Sequence, residues 1–167
     1  LIDYAAIRTA IVQRLKSALG ISIIMGDQTG QQPAYPFVTY KMTSPYLETS
    51  PHGVESVTDI SGGIKRSRKK QVELVFSFTA HAKNPDEAYQ KCYEIIDYFD
   101  FSGRDALRDA GIVVVGVSNA QNRDVFLTIE YERRVGVDVR FRVVDSSEVT
   151  EIGSGYIEKA DIEYQGG

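Results

Sequence analysis

The sequence predicts an α+β fold: a mixed, mainly antiparallel sheet with helices packed on one face and one long β-hairpin-type loop. Three observations carry this. Apolar residues recur at helical spacing near the N-terminus and again over residues 84–100. Two-residue alternation marks 71–80 and 133–144. The elements follow the order α, β, β, long loop, β, α and then further strands, which implies an antiparallel or mixed sheet.

Over residues 4–19, Ile7, Ile11, Leu15 and Leu19 recur every four positions as one helical stripe. Asp3 suits the N-cap and Gly20 the position after the last turn. ISIIM (21–25) reads as a short strand, GDQTGQQPAYP as a connector and FVTYKMT (37–43) as a second strand. Residues 44–70 keep no period and carry Pro45, Pro51, Gly53, Gly62 and Gly63, so they read as a loop. Loops longer than about 12–15 residues in a compact domain are usually functional or disordered. From Gln71 onward Val72, Leu74, Phe76, Phe78 and Ala80 face one side, as a half-buried strand requires. NPDEAYQKCYEIIDYFD (84–100) opens on Asn84 as N-cap with Pro85 in the first turn, and buries Ala88, Cys92, Ile95, Ile96 and Phe99. RDALRDA is a short helix ending at Gly111, before the strand IVVVGVS (112–118). DVFLTIEYE (124–132) and RRVGVDVRFRVV (133–144) form either one long bent strand or two strands at an offset. A Ser/Glu/Gly linker follows Asp145, and YIEKADIEY (156–164) has the alternation of a final strand.

A chain of 167 residues reads as a single domain, with a core over 4–144, the loop 44–70 and an acidic extension 145–167. Its 43% hydrophobic and 25% charged residues are ordinary for a globular protein. A net charge of -4 argues against a general duplex-DNA binder, whose affinity comes from neutralising phosphates. One cysteine excludes an intrachain disulfide. No apolar run approaches the ~20 residues that span a bilayer.

Motifs for chemistry are missing. GDQTG and SGGIKRS lack the Gly-Lys-Ser/Thr ending and following helix of a phosphate-binding loop. His52 and His81 have no metal-ligand spacing and read as surface histidines. Cys92 lies on an apolar helical stripe, where it packs as a small hydrophobe. No catalytic, cofactor-binding or metal site is therefore expected, and an enzyme is not the reading.

What stands out is Lys65, Arg66, Arg68, Lys69 and Lys70, the densest cluster of like charge in the chain. It reads as a solvated loop end, a nucleic-acid grip or a partner-binding arm, and the absence of interleaved aromatics for base stacking argues against the grip. Residues 145–167 supply opposite charge through Asp145, Glu148, Glu151, Glu158, Asp161 and Glu163. Cations and acids can pair between neighbouring subunits, closing a head-to-tail ring, or within one subunit.

The opening helix IRTAIVQRLKSALGI, PAYPFVTYKM, the long loop, QVELVFSFTAHAKN running into DEAYQKCYEIIDYFD, and RRVGVDVRFRV together resemble the tail terminator, or tail completion and neck, proteins of long-tailed bacteriophages and phage-tail-like particles. The likeness covers approximately residues 4–144. It implies a non-catalytic virion subunit, assembled in the host bacterial cytoplasm, that forms a hexameric ring on the tail tube. Such a ring stops tube polymerisation and offers the head connector its joining surface, with DNA only as passing cargo and no membrane or cofactor. By the same likeness the loop is a partner-contacting arm. A tail tube protein, built as stacked rings, is the alternative, and a small nucleic-acid-binding module the more distant one.

Overall fold

The computed structural model describes residues 1–127 and 130–153. Among these, the element order is α1 (Tyr4–Leu19), β1 (Ser22–Met25), β2 (Phe37–Glu48), β3 (Val54–Ile60), β4 (Gly63–Ala82), α2 (Pro85–Asp97), a π-helical turn (Tyr98–Ser102), α3 (Arg104–Asp109), β5 (Val113–Val117), β6 (Gln121–Asn122), β7 (Val125–Phe126) and β8 (Tyr131–Ile152). The helix ends follow the expected chemistry. Asp3 accepts the Ala6 N–H at 3.0 Å, and Gly20, at φ 65°, donates its N–H to the Lys16 carbonyl. At α2 the Asn84 side chain accepts the Glu87 N–H at 2.9 Å, and Asp86 and Glu87 face the positive end of the helix.

The sheet runs β1-β2-β4-β8-β5, with β3 beside β4 and β6 and β7 beside β8. Only β1 and β2 are parallel among these pairs. Both central strands are unusually long: β4 has 20 residues and β8 has 22, paired from Gly63↔Ile152 to Ala82↔Arg133. Along the inner halves of this pair the even residues of β4 and the odd residues of β8 point to the helices. Phe78 and Phe141 meet Phe99 there, with ring centroids 5.0 Å and 5.4 Å from it, and Phe76 packs against both Phe78 and Phe141. Ile11 and Leu15 of α1 and Ala88, Cys92 and Ile95 of α2 close the layer. The π-turn brings Phe99 inward and lays the Tyr98 ring against Gly103, where a Cβ would stand 2.4 Å from the ring. Any side chain at that position would have to displace the buried Tyr98 ring.

Two expectations need correction. Residues 44–70 are not an irregular loop. They hold the end of β2, all of β3 and the start of β4, joined by a turn at Ser61 and Gly62. Residues 145–152, expected as a linker, continue β8 along this segment. The physical reason is shared. Here β3, β4 and β8 form a three-stranded arm with no layer over either face among the described residues, so no apolar alternation is needed and the periodic signal vanishes. Pro45 sits where the β2–β4 register slips twice, as a proline in an edge strand does. Of the two readings of 124–144, two separate strands are found: β7 pairs antiparallel with the start of β8. The strand expected over 156–164 lies outside the described residues.

Candidate partner interface

The arm is the feature to which all five predicted cations belong. From Gly63 to Lys70 it reaches roughly 25 Å at about 3.3 Å per residue. Gly63 anchors its tip by close approach, since a Cβ there would meet the Glu151 carbonyl oxygen at 2.1 Å. Acidic residues flank the basic strand on both sides, with Glu55 and Asp59 on β3 and Asp145, Glu148 and Glu151 on β8. Lys65 meets Glu148 at 2.8 Å, Arg66 meets Glu151, and Lys70 meets Glu48 at 2.7 Å while its ammonium lies 5.2 Å from the centre of the Tyr46 ring. Contact with Glu48 and Tyr46 raises the Lys70 pKa, and the same hydrogen bond lowers that of Glu48. For Glu148 and Glu151, then, the pairing seen is within one subunit; Glu158, Asp161 and Glu163 lie outside the described residues. Arg68 and Lys69 are exposed and make no ion pair or side-chain hydrogen bond among the described residues.

The ion pairs of the arm are largely exposed, and such pairs contribute little to stability. Replacing Lys65, Arg66, Arg68, Lys69 and Lys70 together by Ser should therefore leave the unfolding transition of the core in place, read by circular dichroism on heating. A collapse of that transition would show that the arm charges hold the core. Besides its charges the arm exposes Val54, Val57, Val149 and Ile152, each more than half accessible. The outer edges of β3 and of the β8 segment beyond Val143 carry no further strand among the described residues.

On the sheet face away from the helices, polar side chains interlock. Glu73 is buried and lies against Arg140 and Arg142, at 3.4 and 2.9 Å. Arg123 donates to Ser77 and Thr79 and lies 3.3 Å from Asp138. A further network was not legible in sequence. His81, expected at the surface, is buried with its ring stacked on Phe37 at 4.5 Å. Its Nε2 is 2.9 Å from the Thr39 hydroxyl. Its Nδ1 is 3.3 Å from Glu132, too poorly aligned for a hydrogen bond. Glu132, also buried, accepts from the Tyr35 hydroxyl at 2.8 Å and from Arg134. The order hydroxyl, imidazole, carboxylate is that of a hydrolytic triad, but the grooves beside Tyr93, Arg68, Tyr46 and Ser118 are lined by other residues. The network ties β2, β4 and β8 together where the sheet meets the Tyr35–Pro36 turn.

Burial lowers the His81 pKa below its ordinary 6.5, with Glu132 opposing and Arg134 assisting. Burial alone would raise the Glu132 carboxyl, but hydrogen bonds from Tyr35 and Arg134 and the nearby imidazole outweigh it and hold it below 4.5. Both groups bind fewer protons folded than unfolded, so both destabilise the fold as pH falls. Melting temperature should be level above pH 6.5, decline below it and fall further below 4.5, as His81 and then Glu132 lose their contributions. A flat profile from pH 7.5 to 4 would contradict this assignment. Cys92 is fully buried, its thiol pushed up to about 11 by desolvation, which suits packing and not nucleophilic attack.

Against known families, the chain matches the model described as phage neck terminator protein across residues 5–167. It belongs to that family. No curated protein matches it. As a neck terminator the chain is a structural component of the phage neck, associated with tail and head components. The family match takes in the arm, both long strands and the acidic extension. None of the helices described in this neck terminator is long and apolar enough to cross a membrane.

Proposed function

We propose that this neck terminator forms a homo-hexameric ring that caps the completed tail tube, stops its polymerisation and presents the surface to which the head connector binds. Family membership over residues 5–167 is the observation that carries the reading. The arm gives it a physical means. A three-stranded projection whose faces and outer edges are uncovered among the described residues, and which exposes valines, gains from burial against a neighbour. Two different surfaces meeting head to tail close into a ring when the rotation between copies divides the circle. In this reading the subunit assembles in the host bacterial cytoplasm and enters the virion at the neck. DNA passes through the ring as cargo, and neither cofactor nor catalysis is involved.

The test is solution mass by light scattering after size exclusion, across concentration and salt, with negative-stain images. Closed rings of six copies, formed alone or on added tail tubes, are expected. Open-ended tubes formed by the purified chain would move the reading to a tail tube protein. Steeply salt-dependent DNA binding by a monomer would move it to a nucleic-acid module.

A further inference from the structure

A groove of about 420 Å³ runs between the end of α1 and the outer face of α2. Leu19, Tyr93 and Tyr98 line it, and Glu94 and Asp97 stand on its rim. Several independent features give it the character of a guanidinium site. The α1 C-terminus places its negative dipole end there, at Ala18 and Leu19. Tyr93 is 56% exposed and offers a ring face, while Leu19 can cover an aliphatic stem. Asp97 is exposed and, among the described residues, accepts only from the Ser102 hydroxyl, at 3.2 Å, whereas Glu94 already holds Lys91 at 2.8 Å. The surrounding segment 85–102 carries Asp86, Glu87, Glu94, Asp97 and Asp100 against the single cation Lys91.

The matching element is on the arm. Pairing register places Val57, Arg66, Arg68, Ser147 and Val149 on the side of the sheet that carries the helices. Arg66 is held by Glu151, but Arg68 is exposed and forms no ion pair among the described residues, not even with Glu55, opposite it in register. Val57 and Val149 flank it with apolar surface. Leu1, just before α1, bonds to Ser146 at the base of the arm, so the far end of the 16-residue α1, where the groove lies, is turned away from the arm of the same subunit.

We infer that the helix-side face of the arm of one copy docks in the α1–α2 groove of the next copy, with the Arg68 guanidinium lying on Tyr93 and paired to Asp97. The inference rests on the ring reading above and names the surfaces that would make the ring. Arginine suits this contact better than lysine, because its planar group both stacks on an aromatic ring and forks to a carboxylate. Each copy would offer one arm and one groove, which makes the contact heterologous and self-propagating until it closes.

Charge reversal tests it. Arg68→Glu and Asp97→Arg both alter exposed side chains, and each variant's melting temperature is first compared with that of the wild type to show that it folds. Assembly is then followed by sedimentation velocity, in the presence of tail tubes if the wild type assembles only there. Each variant alone should associate roughly tenfold or more weakly than the wild type. An equimolar mixture should recover assembly, because the glutamate arm of one variant meets the arginine groove of the other, and the unaltered arm and groove also meet. Variants that assemble like the wild type, or variants that fail and are not rescued by mixing, overturn this contact while leaving the ring reading standing. A wild-type chain that stays monomeric at every concentration and on tail tubes overturns both.

Discussion

Ile95→Asp should abolish the cooperative unfolding transition at 25 °C. Ile95 is fully buried on the core side of α2, beside Cys92 and under the sheet. Its loss removes apolar burial worth about 2–5 kcal/mol. The new carboxylate would add several kcal/mol more, since nothing in that layer can pair with it. Together these approach the whole stability of a domain, about 5–15 kcal/mol. Neighbouring Ile96 is only partly buried, so Ile96→Asp should be milder and leave a transition at lower temperature. Far-ultraviolet circular dichroism on heating separates the two. A native-like melt for Ile95→Asp would mean that α2 does not present this face to the sheet.

The next largest effect is expected at Glu132. Glu132→Ala leaves the Tyr35 hydroxyl and Arg134 without their acceptor and removes the carboxylate facing His81. Breaking a buried pair of this kind costs about 2–4 kcal/mol, below the full figure for a buried ion pair because Arg134 is partly accessible to water. The unfolding midpoint in urea should shift down accordingly with an unchanged slope. An unchanged midpoint would mean that water replaces the lost acceptor. Since no catalytic role is assigned to the triad-like order of Thr39, His81 and Glu132, any loss of ring assembly in this variant should track its loss of stability.

What the sequence made legible is what burial imposes on it. The stripe Ile11, Leu15 and the alternation Val72, Leu74, Phe76, Phe78 exist because one side of each element meets the core, and both were readable as period. The caps Asp3 and Asn84 and the glycine after α1 were readable because their chemistry is local. The arm was not. With neither face covered by the described residues it has no reason to alternate, so β3 and the outer halves of β4 and β8 look like loop and linker. Of the site itself, the five cations were visible as a run, but their state was not. Whether Lys65 and Arg66 were free or neutralised depended on β8 running alongside, a pairing separated by more than 80 positions in the chain. His81 was misread for the same reason. Its concealment comes from Phe37 and Glu132, which lie on other strands and carry no local signal.

The proposed role, that this chain ends the tail, can be tested on tubes themselves. The direct measurement is tube elongation, with purified tail tube protein polymerising in the presence and absence of the chain and tube lengths and tips recorded by electron microscopy. Short tubes are expected, their growing ends each carrying a ring-shaped cap in proportion to the chain added, with no further growth from capped ends. Tubes of undiminished length with bare ends, or with the chain incorporated along their walls, would contradict it.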